Sequence, residues 1–137
     1  MQSYMKTGQL FYGVQAPERR KIAKMALKQY PIDSRDEYEE IIRELWEDQY
    51  RECMYQALEI AERCTEFRTP EAFPLFEYLV RTSPHWDTLD WIAGKLISNL
   101  VLDHREFEIK LEEWSEDDNF WVRRASLLAH LHHKESV

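Results

Sequence analysis

Glycine is scarce in this chain: 3 residues in 137. Sheet-rich sandwiches and dinucleotide-binding folds need turn and loop glycines in greater number, so both are excluded. Cysteine is limited to Cys53 and Cys64. Two thiols without zinc-type spacing make neither a disulfide framework nor a metal cluster, and they read as free thiols in a reducing compartment. No long apolar run is present; the hydrophobic stretches are broken by charge, so no segment reads as membrane-spanning. The opening residues MQSYMKTGQL lack the apolar stretch of a secretory leader. Net positive charge is also missing. Acids outnumber bases 26 to 18, giving −8, which argues against indiscriminate binding of nucleic acid.

What is present is helix-forming. Hydrophobic residues make up 44% and charged residues 32%, the balance of a globular protein with a real core. The charge is unevenly distributed. Residues 17–28 hold Arg19, Arg20, Lys21, Lys24 and Lys28 against Glu18 alone, whereas residues 33–52 hold nine acids against Arg35, Arg43 and Arg51. A local basic face on an acidic body follows.

Start and stop signals divide the chain into about seven helices. Pro17 suits the first turn of a helix that Pro31 ends near Gln29. Ser34 and Glu37 form a capping-box pattern before Tyr38, Ile41, Ile42, Leu45 and Trp46 at helical spacing. A third helix, from about Tyr50 to Cys64, carries Met54, Ala57, Leu58 and Ala61 on one stripe. Thr69-Pro70 opens a fourth, with Phe73, Leu75, Phe76 and Leu79 inward, and Ser83-Pro84 a fifth that runs to about Leu102. A short helix spans Glu106 to Trp114. The last starts near Asp118 and carries Trp121, Leu127, Leu128 and Leu131. Short connections predict antiparallel neighbours. An offset of 68 residues carries Trp46 onto Trp114, Ala57 onto Ala125 and Ile60 onto Leu128. Two such units of about 34 residues have the size of helix-pair repeats. The expected fold is therefore all-α: a curved stack of antiparallel helix pairs, a HEAT-like α-solenoid with a concave face.

Two stretches stand out chemically. In Ser83-Pro84-His85-Trp86-Asp87-Thr88-Leu89-Asp90, Trp86 and Asp90 are four apart and share a helix face. An indole beside a carboxylate can hold a cation, the ring offering its π face and the acid a full charge. The plainer reading makes Trp86 core and Asp90 a solvated acid. In Phe120-Trp121-Val122-Arg123-Arg124, two arginines sit at a helix start, against the helix dipole. They call for a phosphate-like anion, or for an ion pair with Asp117, Asp118 or an acid on a neighbouring helix. His130, His132 and His133 cluster near the C-terminus but lack further ligands at zinc spacing, so no metal is expected. No phosphate-binding or dinucleotide glycine loop is found, and no cofactor is expected. Tyr4, Phe11 and Tyr12 group before Gly13, as core packing or as groove-lining aromatics.

These segments taken in order resemble the DNA alkylation repair enzymes of the AlkD type, the HEAT-like-repeat alkylpurine DNA glycosylases. The stretches are Tyr4-Met5-Lys6, Phe11-Tyr12-Gly13-Val14, Pro17-Glu18-Arg19-Arg20, Ile42-Arg43-Glu44-Leu45-Trp46, Trp86-Asp87-Thr88-Leu89-Asp90 and Asp118-Asn119-Phe120-Trp121-Val122-Arg123-Arg124-Ala125. The resemblance implies one HEAT-like domain over residues 1–137, part of a longer family domain, with double-stranded DNA in its concave face. It implies hydrolysis of the N-glycosidic bond of cationic N3- or N7-alkylated purines, without flipping the base into a pocket. Trp86, Asp90 and Arg124 match the family's active-site pattern, and Tyr4 an aromatic near the lesion. Asp90 would stabilise the sugar cation and orient water, Trp86 would pack on the sugar, and Arg124, with Arg123, would hold backbone phosphate. By this resemblance the chain starts near the end of the family's first helix and lacks a C-terminal block of repeats that carries another aromatic and basic surface. A cytoplasmic location is expected; the oligomeric state is left open, an uncapped last repeat offering one face for dimerisation. A non-catalytic helical module that binds DNA or protein is the alternative.

Overall fold

The computed structural model describes residues 16–48 and 50–135, with side chains to residue 130. Tyr4, Phe11 and Tyr12, and the side chains of Leu131, His132 and His133, lie outside the described residues. The described residues are helical throughout, as expected, and fall into two compact units that divide after Thr65.

The first unit holds α1 (Ala16–Gln29), α2 (Arg35–Trp46) and α3 (Arg51–Arg63). Ser34 caps α2: its Oγ accepts the Glu37 amide at 3.1 Å, while Glu37 Oε1 accepts the Asp33 amide at 3.3 Å. The box therefore closes one residue earlier than the simplest pattern, on Asp33. Tyr38, Ile42 and Trp46 of α2 are buried, together with Met54, Ala57, Leu58 and Ala61 of α3. The Tyr38 hydroxyl donates to the Ala61 carbonyl at 3.2 Å, satisfying a polar group inside this interface. Helix α1 buries only a narrow stripe through Ala23 and leaves Ile22 and Met25 exposed. Arg19 on that stripe lies 4.8 Å from the Tyr55 ring centroid and 3.8 Å from the Glu52 carboxylate. Burial raises the Glu52 pKa; Arg19 and Arg51 act against that rise.

Two short 3₁₀ turns follow, Thr65–Phe67 at the division and Pro70–Ala72 in the second unit, then α4 (Phe73–Thr82). The fifth helix of the sequence reading is one helical path in three parts. These are α5 (Trp86–Trp91), a π-helical turn (Ile92–Ile97) and α6 (Ser98–Asp103). It begins at Trp86 with His85 as cap residue, not at Ser83-Pro84. Thr88 is fully buried there, and its hydroxyl donates to the His85 carbonyl at 3.0 Å and bonds the Ser83 hydroxyl. The unit ends with α7 (Glu108–Trp114) and α8 (Phe120–Glu135).

Phe73, Leu75, Phe76, Leu79, Leu89, Ile92, Leu96, Ile97 and Leu100 form this unit's core. Helix α8 departs from expectation. Its buried residues are Val122, Ala125, Ser126 and Ala129, whereas Leu127 is 59% exposed and Trp121 only partly covered. Small side chains let α8 approach its neighbours closely, and the Ser126 hydroxyl donates to the Leu111 carbonyl at 2.7 Å. The residues paired by the 68-residue offset behave alike. Trp46 and Trp114 both end a helix and are both buried, and Ala57 and Ala125 are both fully buried.

Candidate functional site: a cation-lined aromatic patch

Three side chains expected from sequence meet on the second unit. Trp86 and Asp90 project from the same side of α5, one turn apart, as their spacing requires. Arg124 reaches them from the second turn of α8. Its Nε donates to Asp90 Oδ1 at 3.0 Å and its Nη2 to Oδ2 at 3.2 Å, a two-pronged pairing that fixes the guanidinium plane. The same guanidinium lies over the Trp86 ring, Cζ 4.2 Å from the centroid. An acid on a neighbouring helix thus offsets the unfavourable dipole position of Arg124, one of the arrangements foreseen.

Trp86 is not core. It is 50% exposed, and the Asp90 side chain keeps 42% of its surface open to water. A half-exposed indole and a half-exposed carboxylate are thus held side by side by one guanidinium.

Arg123 has a different fate. Its Nη1 donates to the main-chain carbonyls of Asp117 at 2.7 Å and Asp118 at 3.2 Å, and its Cζ lies 5.8 Å from the Phe120 ring centroid. These contacts tie it to the loop before α8 and leave the residue exposed.

Several residues of the site were given no such role from sequence, and the Asp117 carboxylate, weighed there as a partner of the α8 arginines, pairs with Arg81. Phe120, 53% exposed, meets Trp86 edge to face at 5.7 Å between centroids. Trp121 does so at 4.8 Å. Asn119 caps α8 by accepting the Trp121 amide at 2.8 Å, and Asp117 Oδ1 accepts the Asn119 amide at 2.8 Å. Asp117 Oδ2 pairs with Arg81 of α4 at 2.9 Å, and Arg81 is also held by Glu77 at 2.9 Å. The hydrogen bond from Arg81 holds the Asp117 pKa below the ordinary carboxylate value, and the Asn119 amide adds to this. The partnership raises that of Arg81. The Asp-x-Asn pair before an aromatic run was a readable capping signal. The π turn beginning one residue after Trp91 had no sequence signature, although such turns recur beside functional sites.

No group of three or more histidine, cysteine, aspartate or glutamate side chains among the described residues is arranged to hold a metal ion. No described helix is long and apolar enough to cross a membrane.

The family model for the DNA alkylation repair enzyme matches residues 1–136. The chain belongs to that family. A solved structure, described as a predicted DNA alkylation repair enzyme from Enterococcus faecalis, superposes with a TM-score of 0.84 at 27% sequence identity. The match covers 98% of this chain and 63% of that one, so the chain spans somewhat under two thirds of that relative's length. None of the curated proteins compared matches the chain. The patch therefore lies in a protein of a DNA repair family, on the fold that the sequence resemblance implied.

Proposed function

We infer that this chain acts on DNA carrying cationic alkylated purines, and that Trp86, Asp90 and Arg124 form the centre that promotes loss of the base. The observation that carries the reading is the geometry of Asp90: a half-exposed carboxylate, locked in orientation by Arg124 and flanked by a half-exposed indole. An N3- or N7-alkylated purine already bears positive charge, so it leaves as a neutral base without a strong general acid. Heterolysis of the glycosidic bond gives both bonding electrons to the purine and leaves an oxocarbenium sugar. That cation is what a fixed carboxylate and an aromatic face stabilise. A water then adds to the anomeric carbon, and Asp90 orients it and takes up its proton. The product is an abasic site.

Arg124 has two parts in this reading. Two of its five N–H donors hold Asp90, and the remaining three stay available to a backbone phosphate, which fixes the strand in register. Arg123 adds a second phosphate contact at the same helix end. Tyr4 is assigned by resemblance to the neighbourhood of the lesion. Double-stranded DNA is the partner, no cofactor takes part, and the setting is the cytoplasm.

The test is release of 7-methylguanine or 3-methyladenine from methylated duplex DNA, followed by chromatography of the free base. Release that rises with protein concentration and falls sharply in Asp90→Asn is expected. Release at the spontaneous rate would remove the glycosylase assignment.

A further inference from the structure

Phe120 is not accounted for by the mechanism above. It is the first residue of α8 and one of the most exposed large apolar side chains among the described residues. Water is a poor environment for a phenyl ring, and a fold that needed only to buttress Trp86 would do so with a buried side chain, as Trp121 partly does. Phe120 instead sits beside Trp86 with its surface open. The two rings make a continuous aromatic step at 5.7 Å, and each carries its own arginine: Arg124 at 4.2 Å over Trp86 and Arg123 at 5.8 Å over Phe120. The contacts thus run from Arg124 to Trp86, from Trp86 to Phe120 and from Phe120 to Arg123.

That alternation suits a polymer whose units each present a flat or apolar ring and an anionic link. A stretch of duplex DNA has this chemistry: its sugars pack on apolar rings while its phosphates meet arginines. An apolar protein partner would gain from the two rings but would desolvate the exposed Arg123, whose hydrogen bonds go to main-chain carbonyls and not to a carboxylate. We propose that Phe120 makes a second nucleotide subsite, packing against the nucleotide next to the one that faces Trp86, with Arg123 on its phosphate. The proposal rests on the DNA reading above and adds a contact to the flanking position.

Leucine keeps the apolar bulk against Trp86 and removes the aromatic face, so Phe120→Leu is the discriminating variant and Phe120→Trp its rescue. Affinity for a duplex oligonucleotide carrying one 7-methylguanine is measured at several salt concentrations. Phe120→Leu is expected to weaken binding roughly 3- to 10-fold at every salt concentration. The salt slope is expected to stay unchanged, because no charge has been removed. Arg123→Ala is expected to lower that slope by about one. Phe120→Trp is expected to bind as the parent does. Binding by Phe120→Leu within about two-fold of the parent would overturn the subsite while leaving base release, and so the glycosylase reading, intact. Absence of base release, with binding still weakened by Phe120→Leu, would remove the glycosylase reading and keep the subsite. A parent chain that fails to bind duplex DNA at low salt would overturn both.

Discussion

Asp90 and Arg124 stand 34 residues apart in sequence and meet through two hydrogen bonds of 3.0 and 3.2 Å. The pair is part-exposed, with 32% of the arginine and 42% of the aspartate side chain open to water. Exposure of that degree makes the pair weak as a stability device, worth roughly 0–1 kcal/mol. Its value is orientation.

This separates two measurements. Asp90→Asn is expected to shift the thermal midpoint by no more than a few degrees, because under about 1 kcal/mol is at stake. Base release is expected to fall by on the order of a hundred-fold or more, the scale seen when one preorganised electrostatic group is lost. Arg124→Ala should lower release as well. In the double variant the two losses should not add, because each single change already breaks the same unit. Additive losses would mean that the two side chains act separately.

Trp86 offers an independent check. Arg124 stacks on its ring, so Trp86→Leu removes both a π face for the sugar cation and a support for the guanidinium. A loss of about ten-fold in base release is expected, with Trp86→Phe between the two. Because the side chain is 50% exposed, the fold should persist with an unchanged far-ultraviolet circular dichroism spectrum. A large fall in stability for Trp86→Leu would show instead that the ring serves the core.

Much of this was legible in sequence where capping and spacing agreed. Ser34 with Glu37 announced α2, and the stripes of α2, α3 and α4 that were read as inward are largely buried. Helix α8 was legible in extent but not in facing. Its large leucine, Leu127, faces water, while Ala125, Ser126 and Ala129 are buried. Hydrophobicity alone ranks leucine inward; the packing of α8 selects small residues, and a serine is tolerated because the Leu111 carbonyl accepts its hydroxyl. The site shows the same limit. The i, i+4 relation put Trp86 and Asp90 on one face without any fold. No spacing rule reaches across 34 residues, so Arg124 joined them in the sequence reading through family resemblance alone. Phe120 and the π turn gave no such signal and had to be seen.

The opening of α5 depends on a buried hydroxyl. Thr88 is fully buried, and its Oγ1 bonds Ser83 and the His85 carbonyl, which fixes the first turn that carries Trp86. Thr88→Val keeps the shape but leaves these partners short of a hydrogen bond in an enclosed place. A loss of about 1–3 kcal/mol in unfolding free energy is expected by denaturant titration. Thr88→Ser, which restores the hydroxyl, should recover most of it. An equal loss in both variants would show that the hydroxyl alone does not account for the stabilisation.

Acid should act on the site from outside it. Asp117 receives Arg81 on one carboxylate oxygen and the Asn119 amide on the other, and so holds the loop from which Asn119 caps α8. Its pKa in the folded chain is lowered by these contacts, the Arg81 hydrogen bond foremost. A lowered carboxylate pKa contributes stability that is present above the unfolded value, about 3.9, and is lost as the pH falls through the folded value. The contribution is thus complete at neutral pH and disappears below about pH 4. Protection of the Trp121 and Val122 amides, taken relative to the intrinsic exchange rate at each pH, should therefore fall at acid pH before that of the α2–α3 pair. Asp117→Asn abolishes the titration. Its α8 start should exchange faster already at neutral pH, and the difference from the parent chain should shrink as the pH is lowered. A gap between the two proteins that stays constant from pH 7 to pH 3 would show that Asp117 acts through shape and not through its charge.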